Sequence, residues 1–156
     1  MVLMTLLNHE VTFHVLGEEG GGLEKEIIER TGSRVATPNE ADFILSLLGN
    51  GQGTKLQPKR GTQEYPDTSA TLIFLVKRLS QEPPGNLFLS LKGPGIKNEA
   101  RVCMDGFGKR EILHLKEINS EYPLGVESIF VDPLGRLMCI PRSTQIELRE
   151  TWDTLQ

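Results

Sequence analysis

Cysteine, histidine and aromatic residues are all scarce in this 156-residue chain, and each scarcity removes a class of function. The two cysteines, Cys103 and Cys139, stand too far apart for a C-x-x-C redox pair or a zinc knuckle. They read instead as two small buried hydrophobes of a reducing compartment. Of the three histidines, His9 and His14 would face opposite sides of one strand, and His114 sits on the polar side of a helix beside Arg110 and Glu117. No metal spacing results, so no metal ligand is expected. Charge of one sign is also lacking: 17 Lys and Arg oppose 21 Asp and Glu, for a net charge of −4. Without a basic stripe, nucleic acid is excluded as a partner. Long hydrophobic runs are missing too. Met1 to Leu7 is apolar but short, with no Lys or Arg before it, and is expected to be neither a signal peptide nor a membrane span. The expected location is cytoplasmic.

Catalytic signatures are equally thin. Ser46, Ser90 and Ser143 lack the G-x-S-x-G elbow, and carboxylates such as Glu10, Asp42 and Glu127 are scattered singly. Gly49, Gly51 and Gly53, followed by Thr54 and Lys55, suggest a phosphate loop. That loop needs Gly-Lys-Ser/Thr in succession, and here Thr separates Gly53 from Lys55 while Leu56 follows. The stretch reads as a mobile loop. No catalytic residue and no cofactor are expected.

What is present is a globular composition, 38% hydrophobic and 24% charged, long enough for one domain and too short for two ordinary ones. Val11 to Val15 alternates as a strand. Leu23, Ile27 and Ile28 then recur at helical spacing before Gly32, and Phe43 to Leu48 is an apolar strand. Strand, helix and strand in that order predict a crossover, hence partly parallel pairing. Gly49 to Pro66 reads as a short helix or a long loop. Ala70 to Val76, then Leu87, Leu89 and Leu91 on one face, then Arg101 to Met104 predict an antiparallel meander. Lys109 to Asn119 is a helix with Ile112, Leu115, Ile118 and then Tyr122 on its inner face, ended by Pro123. Val126 to Val131 and Arg136 to Ile140 are strands joined by a type I turn at Asp132-Pro133-Leu134-Gly135. The expected class is α/β: one domain over residues 1–150, a single mixed sheet with flanking helices, then a polar tail over 151–156 carrying Trp152.

Two local features carry more physical content. Gly93-Pro94-Gly95-Ile96 combines a φ-fixed proline with glycines, so it either points N–H groups at an anion or a partner chain, or is only a sharp hairpin. Pro141-Arg142-Ser143-Thr144 ends an apolar strand with an arginine that is either a phosphate or carboxylate receptor or an ordinary surface residue.

Six stretches, in this order, resemble the PhnH family, and together they cover nearly all of the chain. They are Glu10-Val11-Thr12-Phe13-His14-Val15; Ala41-Asp42-Phe43; Gly61-Thr62 with Tyr65-Pro66 leading into Ser69-Ala70-Thr71-Leu72-Ile73; Leu89-Ser90-Leu91-Lys92-Gly93-Pro94-Gly95-Ile96; Tyr122-Pro123-Leu124-Gly125-Val126-Glu127; and Ile140-Pro141-Arg142-Ser143-Thr144. The resemblance implies an accessory subunit of the carbon–phosphorus lyase machinery, which joins an alkylphosphonate to the ribose of ATP, displaces adenine and forms a ribose 1-alkylphosphonate 5-triphosphate. It implies that the chemistry belongs to sister subunits. It also implies a fold similar to pyridoxal-phosphate-dependent transferases without the cofactor or its lysine, a homodimer, and docking on the PhnG, PhnI and PhnJ subunits. The residues expected to meet a ligand or partner are Gly93, Pro94 and Gly95 as a shaped turn, Arg142 with Thr144, and Glu127 orienting Arg142.

Family members carry a segment before the first strand, including an F-R-x-[LI]-[LM]-x-A-M-x-x-P-G-like stretch, so this chain is expected to be a shortened member. A late start assignment, a truncated gene and a divergent relative are the three explanations. The rival reading is an independent phosphonate- or nucleotide-binding module, or an enzyme with a transferase-like cleft.

Overall fold

Alternation at the front of the chain has the consequence expected of a strand. In β1 (Thr12–Leu16), Phe13 and Val15 are buried and Thr12, His14 and Leu16 half-buried. The computed structural model describes residues 2–17, 21–47 and 56–152. Before β1 lies a short helix, α1 (Val2–Leu6), and after it comes α2 (Gly22–Thr31). Gly32 stops α2 in the left-handed conformation (φ 71°), with its N–H on Ile28 O at 2.9 Å. Ile27 is fully buried, whereas Ile28 turns outward rather than sharing that face. The helix returns the chain so that β2 (Arg34–Val35) and β3 (Phe43–Leu47) both pair parallel with β1, as a crossover requires.

Beyond a 3-10 turn (Pro66–Thr68) come β4 (Thr71–Leu75), β5 (Arg78–Ser80), β6 (Leu87–Lys92) and β7 (Ala100–Asp105). They are followed by α3 (Lys109–Ile118), β8 (Glu127–Val131), β9 (Leu137–Ile140) and β10 (Gln145–Arg149). The strands form two sheets. One has the order β2-β1-β3-β4-β8-β9, parallel except for β9, and the other is antiparallel with the order β10-β6-β7-β5. The class is α/β with a mixed sheet, but the expected single sheet is two. The expected meander is likewise corrected, because β4 leaves it and lies between β3 and β8. Leu72, Ile73 and Phe74 are buried in succession, as befits a central parallel strand covered on both faces, while β6 and β7 remain an antiparallel pair.

The two sheets and α3 share one core. Ile44, Leu72, Phe130 and Ile140 of the mixed sheet meet Leu87, Leu89, Met104 and Ile146 of the other, with Ile112 and Leu115 of α3 packed among them. Phe74, Phe107 and Phe130 interlock, with centroids 4.8, 5.0 and 5.1 Å apart. On the other face of the mixed sheet, Phe13, Val15, Leu45 and Ile73 are covered by Leu7 and Ile27. Among the described residues no helix is long and apolar enough to cross a membrane.

Other expectations change. Helix α3 ends at Ile118 with Asn119 as its cap, ahead of Pro123, and Tyr122 is 71% exposed instead of facing inward. Cys103 is buried but Cys139 is exposed, and both are free thiols. Strand β10 was not expected, and Trp152 beyond it packs on Phe88 at 5.7 Å between centroids. The glycines at 49, 51 and 53, with Thr54 and Lys55, lie outside the described residues, as do residues 18–20 and 153–156.

Candidate functional site

Strand β9 runs into Pro141 and delivers Arg142 to the edge of the mixed sheet where β8 begins. Its side chain is 13% exposed and its guanidinium is engaged almost completely. Nε donates to Glu127 Oε1 at 2.6 Å, and the Arg142 backbone N–H donates to Glu127 Oε2 at 3.1 Å. Nη1 donates to Pro66 O at 2.6 Å and Pro123 O at 3.2 Å, and Nη2 donates to Ser69 Oγ at 2.7 Å. A guanidinium has five N–H groups in a rigid fork, so the described residues take four and leave one on Nη2. Glu127 compensates the charge.

The surrounding chain is shaped to allow this. Asn119 at the end of α3 accepts the Val126 N–H (2.8 Å) and donates to Val126 O (3.2 Å), which fixes the approach to Glu127. Gly125 lies beneath that amide: a Cβ there would come within 2.5 Å of Asn119 Oδ1 and 3.2 Å of Arg142 Cβ. Gly61 has φ +77°, and a Cβ on it would stand 2.6 Å from Pro66 O, the carbonyl that receives Nη1. The turn that leads to that carbonyl is closed by Thr62 N–H on Tyr65 O (3.1 Å) and Tyr65 N–H on Thr62 Oγ1 (2.9 Å).

The other expected site residues fall close by or outward. Ile96 N–H donates to Gly93 O at 3.1 Å with Gly95 at φ 83°, a turn with Pro94 and Gly95 at its exposed tip. Gly93 abuts the Arg142 loop: its missing Cβ would lie 3.2 Å from Thr144 Cα. Gly93, Thr144, Arg142 and Glu127 are therefore neighbours, whereas Pro94 and Gly95 face solvent. Over Arg142 lies an open depression of about 320 Å³ walled by Pro66, Asp67, Tyr122, Pro123 and Ser143. It presents a compensated arginine and an exposed tyrosine, a surface suited to contact more than to capture of a free anion.

Two further polar locks were not anticipated. Asp42 accepts the Thr12 N–H (2.7 Å) and hydroxyl (2.9 Å) and pairs with Lys59, tying β1 to β3. Burial pushes the Asp42 carboxyl up, but the bonds from Lys59 and Thr12 together hold it below the usual range. Asp132, with no exposed side-chain surface, accepts N–H groups from Leu79, Leu134 and Arg136 and pairs with Arg136 Nε at 2.6 Å. Here too burial raises the pKa and the donors outweigh it, leaving the carboxyl low. Arg60 reaches Glu121 through Nη1 at 3.4 Å, while its Nε and Nη2 are buried with no acceptor among the described residues. Two of the three histidines are locally engaged: His14 Nδ1 lies 3.0 Å from Ala36 O and His114 Nε2 lies 2.8 Å from Leu56 O.

Residues from four of the six stretches singled out in the sequence thus meet at one guanidinium or against its loop. Comparison with known proteins agrees. The chain is 30% identical over 152 residues, 96% of its length, to the C-P lyase subunit protein HtxG of Stutzerimonas stutzeri, of which it spans 71%. It is 35% identical over 125 residues, 79% of its length, to the alpha-D-ribose 1-methylphosphonate 5-triphosphate synthase subunit PhnH of Rhizobium meliloti (strain 1021), of which it spans 60%. Residues 1–147 match the family model described as bacterial phosphonate metabolism protein (PhnH), and the chain belongs to that family.

Proposed function

We propose that this chain is an accessory subunit of the carbon–phosphorus lyase assembly that forms ribose 1-alkylphosphonate 5-triphosphate, and that it serves by shape rather than by bond-making. The observation that carries this reading is the Arg142 hub. A residue type suited to phosphate recognition is spent on Glu127, Pro66, Pro123 and Ser69 of its own chain. Its effect is to hold Tyr122, Pro123 and the 3-10 turn in one fixed surface. The names of the two relatives, both subunits, support the assembly role. In this reading the partners are the PhnG, PhnI and PhnJ subunits, the chain pairs with a second copy in the cytoplasm, and Arg142, Thr144 and the Gly93-Pro94-Gly95 turn shape the docking face. In this proposal the scaffold is similar to that of pyridoxal-phosphate-dependent transferases, without the cofactor or its lysine.

The test is co-purification with tagged PhnG and PhnI, together with growth on methylphosphonate as sole phosphorus source. Retention of the chain, and weakened growth for Arg142→Ala, are the expected results. Normal growth and normal complex yield for that variant would remove Arg142 from the docking face, and no retention of the wild type would end the subunit reading. Calorimetric titration with methylphosphonate, ATP and pyridoxal phosphate addresses the independent-module alternative. Silence toward all three is expected, and binding of any would favour the rival.

A further inference from the structure

Among the described residues the strand order leaves four sheet edges, β2 and β9 on one sheet and β10 and β5 on the other. Unpaired N–H and C=O groups along an edge template pairing with another chain, so edges are normally kept short or charged. Three of these four are. β2 has two residues and begins with Arg34, β5 has three and begins with Arg78, and β10 carries Gln145, Glu147 and Arg149. β9 differs: Leu137-Met138-Cys139-Ile140 holds neither charge nor proline.

The hairpin shows which of its backbone groups are free. Asp132 N–H donates to Arg136 O at 3.1 Å and Gly135 N–H to Asp132 O at 3.0 Å, so Asp132 and Arg136 are a hydrogen-bonded pair. Antiparallel ladders alternate, and the register places Val131 opposite Leu137, Phe130 opposite Met138 and Ile129 opposite Cys139. Leu137 and Cys139 therefore occupy the non-bonded positions, with their N–H and C=O groups directed away from β8. Val131 O is correspondingly turned the other way, where it accepts the Val76 N–H at 2.9 Å.

The side chains around this edge are apolar. Leu137 is 56% exposed and Leu134 79%, and Cys139 is exposed beside half-buried Ile129. On the opposite face a groove of about 430 Å³ runs between β9 and β5 over Leu79, Val102 and Met138, and Arg136 is the one charged residue in its described lining. Arg136 holds buried Asp132 through Nε, and its side chain, 43% exposed, lines the groove.

We propose that β9 receives an extended segment of a sister subunit by strand addition. That segment bonds to the Leu137 and Cys139 backbone, lays apolar side chains over Met138 and Leu137, and places a carboxylate on Arg136. Charge selects this occupant over a second copy. Antiparallel pairing of β9 with itself sets Arg136 against the other copy's Pro141-Arg142 end, and residues 136–142 carry two arginines and no carboxylate. The inference rests on the subunit reading above.

Amide hydrogen exchange on the chain alone and in the complex with PhnG, PhnI and PhnJ tests it. Exchange at Leu137 and Cys139 slows by about tenfold or more on assembly. Leu137→Lys and Cys139→Pro, which blunt the edge without removing a bond to β8, lower retention on the tagged complex by about tenfold, and Arg136→Glu also lowers it. Should the proline variant misfold, the lysine variant and the exchange data decide. Unchanged protection on assembly, or full retention of Leu137→Lys, overturns the proposal while leaving the subunit reading intact. Conversion of a dimer to a monomer by Leu137→Lys overturns it as well, since the occupant is then a second copy. If the wild type is not retained at all, the subunit reading fails and this inference goes with it.

Discussion

Replacing Arg142 by Ala should be among the costliest single changes in this chain. The substitution removes one charge-assisted bond at 2.6 Å to Glu127 and leaves Pro66 O, Pro123 O and Ser69 Oγ without their donor. Breaking a fully buried ion pair costs about 3–5 kcal/mol. Glu127 is 39% exposed, so water re-solvates part of its carboxylate and the lower end applies, about 3 kcal/mol. For a domain of this length that corresponds to a fall in Tm of roughly 6–12 °C. Arg142→Lys keeps the charge, but an ammonium cannot span three segments in one plane, so it should recover less than half of the loss. Urea melts of wild type, Arg142→Ala and Glu127→Gln measure these differences. A loss below about 1 kcal/mol for Arg142→Ala refutes the hub as a structural tie and returns the arginine to the role of an anion receptor.

Acid should destabilise the protein in a defined window. Asp42 and Asp132 have lowered pKa values in the folded state, so their contribution is fully present above the unfolded carboxyl value of about 4 and is lost as pH falls below it. Asp132→Asn should flatten urea stability measured between pH 5 and pH 2.5 relative to wild type, and an unchanged slope counts against the assignment. Gly61→Ala meets both a positive φ and a Cβ contact of 2.6 Å with Pro66 O, so a loss above about 2 kcal/mol is expected in thermal melts. Phe130→Ala removes the fully buried member of the three-ring cluster and should cost about 3–5 kcal/mol by urea titration. Tyr122→Ala, at an exposed position, should stay within about 0.5 kcal/mol of wild type while lowering retention by partner subunits.

Local pattern carried the individual elements further than their assembly. The alternation in β1, the glycine stop of α2 and the apolar run of β4 are decided within a few residues, so each was legible. The partner of β4 was not. An apolar segment followed by two more suggests a meander, but burial on both faces selects a central parallel position, and which faces are covered is a property of the whole chain. β10 was missed although Ile146 and Leu148 alternate with Gln145, Glu147 and Arg149. Tyr122 looked like a continuation of α3 by spacing, yet Asn119 caps the helix and bonds both backbone groups of Val126, so the chain turns before Tyr122 is reached.

The site shows the same divide. Arg142 and Glu127 were recognisable as a pair because both types belong at a charged contact, and they lie 15 residues apart. What spacing could not supply is the occupancy of the remaining donors, since their acceptors come from residues as much as 76 positions away. An arginine after a strand suggests an anion receptor only while its other N–H groups are free. Once Pro66, Pro123 and Ser69 are counted, one donor remains, and the residue acts as a rivet between segments. The free edge at β9 is further still from local reading, because Leu137-Met138-Cys139-Ile140 is identical in composition to a strand buried between two others. Only the strand order leaves it unpaired, and only the hairpin register shows which amides wait for a partner.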